Sequence, residues 1–118
     1  GSVTCYAPVL TDELQVDDSF WTEQGYVLDL SAGHVLTGEI LMRTASSYAF
    51  EVRAGGETVV LTGELAATDG AFDESREPFQ LDLGTGISPE SYDVLVYAGT
   101  IETGRTIAQL PLTVVAGQ

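Results

Sequence analysis

The run Tyr48-Ala49-Phe50-Glu51-Val52-Arg53 alternates a bulky apolar residue with a smaller or charged one at every step. A side-chain period of two belongs to an extended chain. The hexamer therefore predicts a strand with Tyr48, Phe50 and Val52 on a buried face. It leads into Ala54-Gly55-Gly56-Glu57, whose paired glycines suit a tight hairpin turn. Beyond the turn, residues 58–65 form a second strand, with Val59, Leu61 and Leu65 expected on one face.

The same period recurs outward from this hairpin. Residues 3–9 are a candidate first strand, which Pro8 would place at a sheet edge. Residues 13–16 are a short second. Residues 25–30 put Tyr26, Leu28 and Leu30 on one side, and residues 35–43 put Leu36, Ile40 and Met42 inward. Further along come Phe79, Leu81 and Leu83, then Tyr92, Val94 and Val96, then Leu110, Leu112 and Val114. Residues 66–78 are polar and acidic and are expected to be the longest loop. No window sustains a helical period. The expectation is an all-β fold, an antiparallel β-sandwich of immunoglobulin-like or jelly-roll type with eight or nine short strands. Gly1-Ser2 reads as the remnant of a cleaved tag, and residues 3–118 as a single domain.

One stretch is more specific than alternation. Ile87-Ser88-Pro89-Glu90-Ser91-Tyr92-Asp93-Val94-Leu95-Val96-Tyr97 places a proline-set turn ahead of a strand. Tyr92 can pack its ring inward and send its hydroxyl back to the turn backbone, as in a tyrosine corner. This stretch resembles the Pro-Gly-x-Tyr-x-Val-x-Val-Tyr strand of bacterial extracellular β-sandwich modules, the pre-peptidase C-terminal family among them. Upstream, Tyr26 to Leu36 is similar to that family's Tyr-x-Phe-x-Val-Pro-Ala-Gly-x-x-Leu opening, and the two elements span about residues 21–115. Glu90 stands where the family has a turn glycine. Residues 47–52 stand where it has an aspartate-rich strand. The resemblance implies a secreted, non-catalytic accessory module.

Charge narrows the partners. The chain has 118 residues, with 18 Asp and Glu against 4 Arg and no Lys, for a net charge of -14. Nucleic acid and anionic membrane surfaces need Lys/Arg clusters, so neither is an expected partner. A hydrophobic content of 44% is that of a folded domain. The absence of Lys and Asn fits a GC-rich source, and equally a salt-rich setting in which carboxylates hold water and cations. No apolar run approaches the roughly 18 residues of a membrane helix. The lone Cys5 allows no internal disulfide, and Val3-Thr4 ahead of it makes a poor lipidation motif.

Candidate chemistry is sparse. His34, the only histidine, sits in a turn with no nucleophile motif around it, so no catalytic residue is expected. One His and one Cys do not make a zinc or copper site. Calcium is the cofactor best suited to oxygen donors, and two acidic segments offer them: Asp12, Asp17 and Asp18, and Asp69, Asp73 and Glu74. Neither has the EF-hand spacing, and solvated acidic loops are the plainer reading. Trp21 is a candidate stacking platform for a glycan, or else a core residue. Leu95 and Tyr97 lie opposite Val94 and Val96; if that face is open they form an apolar partner patch, and if it is covered they are packing.

The expectation is a non-enzymatic extracellular or cell-envelope module that mediates protein or surface interaction. The alternatives are a carbohydrate- or calcium-binding accessory module, and a structural subunit of a surface layer, pilus or virion. A signal peptide, on this reading, has already been removed.

Overall fold

The computed structural model describes residues 12–117. The candidate strand at residues 3–9, and Cys5 with it, lie outside them. The chain forms β1 (Glu13–Val16), β2 (Trp21–Thr22), β3 (Gly25–Asp29), β4 (Val35–Leu41), β5 (Tyr48–Ala54), β6 (Thr58–Glu64), β7 (Ala66–Ala67), β8 (Arg76–Asp82), β9 (Ser91–Ala98) and β10 (Arg105–Val115). A 3-10 turn at Asp18–Phe20 precedes β2. Two of these strands, β2 and β7, are only two residues long. Such pairs leave no alternation to read, so they were not visible in the sequence.

Two sheets face each other. One runs β1-β4-β8-β7, the other β2-β3-β10-β9-β5-β6. Pairing is antiparallel except between β10 and β3, which run parallel with Leu112 beside Tyr26. That exception joins the end of the chain to its first third. No local signal distinguishes it from an antiparallel neighbour.

The core is the sum of the alternating faces. Tyr48, Phe50 and Val52 of β5 meet Val94 and Val96 of β9, Leu110, Leu112 and Val114 of β10, and Leu36, Ile40, Phe79 and Leu81 of the opposite sheet. Burial of such side chains contributes about 1.5–3 kcal/mol each and is the main force holding the two layers together. Gly38 on β4 lets β1 approach: a Cβ there would lie 2.1 Å from the Gln15 carbonyl oxygen.

Two inward assignments fail, each for a geometric reason. Met42 is 43% exposed because β4 ends at Leu41 and residue 42 turns to φ +52°. Val59 is 46% exposed because β6 carries a bulge. Val52 pairs with Leu61 but Arg53 pairs with Val59, so Val60 is the extra residue and the alternation slips by one. Leu65 remains in the core, and Leu61 packs against it.

Candidate functional site

β6 is the last strand of the six-stranded sheet, and among the described residues nothing pairs with its outer side. The Leu65 N–H bonds the Tyr48 carbonyl at 2.9 Å, which fixes the phase of the ladder. Leu61, Gly63 and Leu65 therefore turn their backbone groups to β5. Thr62 and Glu64 turn theirs away. Edge strands are commonly blunted by Lys, Pro, short length or a bulge. The sequence Thr-Val-Val-Leu-Thr-Gly-Glu has seven residues and neither Lys nor Pro, and its bulge at Val60 leaves residues 61–64 as a regular edge. Val59 and Val60 lie exposed on it.

A groove of about 390 Å³ opens beside this edge. Val60 and Leu61 form one wall, Leu83 and Ile87 the other, with Tyr92 in the lining and Glu90 contributing a carboxylate. The turn after β8 is held in place from within. The Tyr92 hydroxyl donates to the Ser88 carbonyl at 2.6 Å, the contact expected of a tyrosine behind a proline-set turn. Burial, and then the Glu90 charge, raise the Tyr92 pKa.

The acidic candidates part company. Asp69 and Asp73 do come together, but their third partner is Glu77 rather than Glu74; one oxygen from each lies within 4.8 Å of the others. Glu77 was missed because it falls within the expected loop. In fact β8 begins at Arg76 and turns Glu77 inward, opposite Ile40. It is only 1% exposed. Its Oε2 accepts the N–H groups of Asp73 at 2.9 Å and Glu74 at 2.8 Å, which is how a buried carboxylate is made tolerable. That arrangement also ties residues 73 and 74 to the start of β8.

Asp12, Asp17 and Asp18 form no such group among the described residues. Asp17 accepts the Thr37 hydroxyl at 2.5 Å, and Asp18 opens the 3-10 turn. Asp12 is 2% exposed and committed inside the protein. It takes the Thr44 N–H at 2.8 Å, the Tyr48 hydroxyl at 2.6 Å, the Thr44 hydroxyl and the Arg105 guanidinium. Burial pushes its pKa up, but these bonds together outweigh it and hold the carboxyl below the usual range.

The aromatic candidates divide as well. Trp21 is 60% exposed, its ring 4.8 Å from Tyr26 in an edge-on arrangement. Leu95 and Tyr97 are each only 8% exposed and lie outside the core cluster, on the outer face of β9. There the Tyr97 hydroxyl donates to Glu51 at 3.3 Å, and Arg53 pairs with the same carboxylate at 2.6 Å. Glu51, which alternates with the inward residues of β5, is thus itself covered on the opposite face.

His34 Nδ1 lies 2.7 Å from Asp82. The Gly84 N–H, and then His34, keep the Asp82 carboxyl below its ordinary pKa.

No protein-family model, no characterised protein and no solved structure matches the chain. The functional reading therefore rests on geometry and chemistry. All four arginines are engaged within the protein: Arg53 with Glu51, Arg76 with Glu39, Arg105 with Asp12, and Arg43 on the carbonyls of Glu74 and Ala45. What remains on the surface is a large excess of carboxylate.

Proposed function

We propose that this protein is a non-enzymatic extracellular or cell-envelope module that binds a protein partner by accepting an extended strand at β6. The observation that carries this reading is the seven-residue edge strand, free of Lys and Pro, which runs in regular register over residues 61–64 beyond its bulge and exposes Val59 and Val60. Strand addition uses such an edge directly, since the backbone supplies affinity and flanking pockets supply specificity. The setting outside the cell is supported by the resemblance at residues 87–97 and by the lysine-free acidic surface. Amide hydrogen exchange with a panel of extended decapeptides tests it. A bound strand should protect the amides of Thr62 and Glu64. Binding that leaves both unprotected would remove β6 as the site.

The convergence of Asp69, Asp73 and Glu77 supports a second reading, a calcium-binding module. Millimolar calcium should then raise the Tm of the native chain and leave that of Glu77→Gln unmoved. Equal melting with and without calcium ends this reading.

A further inference from the structure

We infer that the strand accepted at β6 is a basic segment carrying one bulky apolar side chain, which seats in the groove between β6 and the turn after β8. This rests on the strand-addition reading and names the partner's chemistry.

The ladder phase dictates the placement. A strand added antiparallel to β6 shares its alternation, so the residue opposite Leu61 points to the same side as Leu61. That side is inward, since Leu61 pairs with Val52, which is fully buried. The space it enters is the groove walled by Val60, Leu61, Leu83 and Ile87. Its volume of about 390 Å³ lies in the range of ligand pockets, roughly 300–1,000 Å³. Water held against these apolar walls is displaced by an aromatic or branched side chain. The backbone of the same segment meanwhile satisfies Thr62 and Glu64.

Charge decides the rest of the segment. Glu90 lines the groove, and Glu57 and Glu64 flank the ends of β6. No Arg lines it. The protein's own cations are already paired, so a basic strand meets uncompensated carboxylates and an acidic one meets repulsion. The same argument disfavours a second copy of this chain, which would bring another net charge of -14 and the same three glutamates to the seam.

The test uses the full chain and labelled decapeptides of alternating pattern. One carries Lys on its outward positions and Phe at the inward centre, the second replaces Phe by Ala, and the third replaces Lys by Glu. The first should bind, more weakly as salt rises. Loss of the Phe anchor should cost about tenfold or more in affinity. The Glu peptide should not bind. Glu64→Gln, on the outward face that the lysines share, should weaken the basic peptide about threefold, the scale of an exposed ion pair. Val60→Lys, on an exposed side chain, should weaken it further while sparing the thermal melt. Thr62→Pro removes an outward N–H and should abolish all binding.

A Glu peptide that binds as tightly as the Lys peptide, with Thr62 and Glu64 protected, overturns the basic chemistry and leaves the edge reading intact. Indifference to Phe→Ala overturns the role of the groove. Binding that survives Thr62→Pro overturns the edge itself. Concentration-dependent self-association abolished by Thr62→Pro would assign the edge to a second copy. Protection of Thr62 and Glu64 without peptide, lost on deleting residues 1–11, would assign it to the chain's own N-terminal segment. Either overturns the proposal.

Discussion

The Tyr48 hydroxyl donates to Asp12 Oδ1 at 2.6 Å, joining residues 36 positions apart at a buried point between the sheets. Asp12 also holds Thr44 and Arg105, so one carboxylate ties the approach to β1, the link before β5, β5 itself and the start of β10. Asp12→Ala should lower unfolding free energy by about 1–3 kcal/mol, because the buried Tyr48 hydroxyl and the Thr44 N–H lose their acceptor while the half-exposed Arg105 guanidinium regains water. Urea unfolding at neutral pH measures it. The folded Asp12 pKa is depressed, so its contribution is complete above the unfolded carboxylate pKa of about 4. It is lost as pH falls through the folded value. Asp12→Asn should flatten that acid limb; an unchanged limb would mean other carboxylates govern it.

At the alkaline end the sign reverses. Burial, and then the bond to Asp12, push the Tyr48 pKa up to about 12. A raised acid pKa stabilises the fold below the unfolded value near 10 and ceases to do so as pH rises towards 12. Stability should therefore fall over that window, and phenolate absorbance should include a late-titrating tyrosine. Tyr48→Phe should remove that step.

Behind the groove, Tyr92→Phe deletes the bond to the Ser88 carbonyl and keeps the ring. The expected loss is about 1 kcal/mol in denaturant titration, the ordinary value of one hydrogen bond. Because Ser88 belongs to the groove lining, the Lys/Phe decapeptide should also bind less tightly to this variant.

Gly38→Ala tests the seam between β1 and β4. The added methyl meets the Gln15 carbonyl oxygen and the Phe79 ring. A shift of β1 is required, at about 1–3 kcal/mol, the scale of overpacking. A Tm equal to that of the native chain would show that β1 moves aside without loss.

Trp21 is the only tryptophan, so emission reports the β2–β3 turn alone. At 60% exposure it should be readily quenched by acrylamide, and Trp21→Ala should change stability by less than about 1 kcal/mol. If the Trp21–Tyr26 pair binds glycan, a sugar panel should shift the emission. A flat response excludes stacking on Trp21.

Faces of long strands were legible in the sequence. Tyr48, Phe50 and Val52, or Phe79, Leu81 and Leu83, are inward as their alternation requires, because a two-residue period is a local property of extended backbone. The change of direction at Pro89, a bend in the structure, and the reach of the Tyr92 hydroxyl back to the Ser88 carbonyl were also readable, since both act within a few residues. The candidate site was read in part. Asp69 and Asp73 converge as grouped, while Glu77 was hidden by a strand that begins before its apolar residues do. The β6 edge could be read as a strand, but not as an edge.

By itself the sequence determined the class of fold, the inward faces of its longer strands and the sign of its surface. Only the tertiary structure decided which strand stands last in its sheet, where β6 bulges, and that β10 runs parallel to β3. It alone decided which carboxylates go inside. The reason is physical. Alternation is set by neighbours one and two residues away, whereas the fate of Asp12 depends on Arg105, 93 positions along the chain. Pairing over such separations is chosen by the energy of the whole assembled sandwich, to which no single segment holds the key.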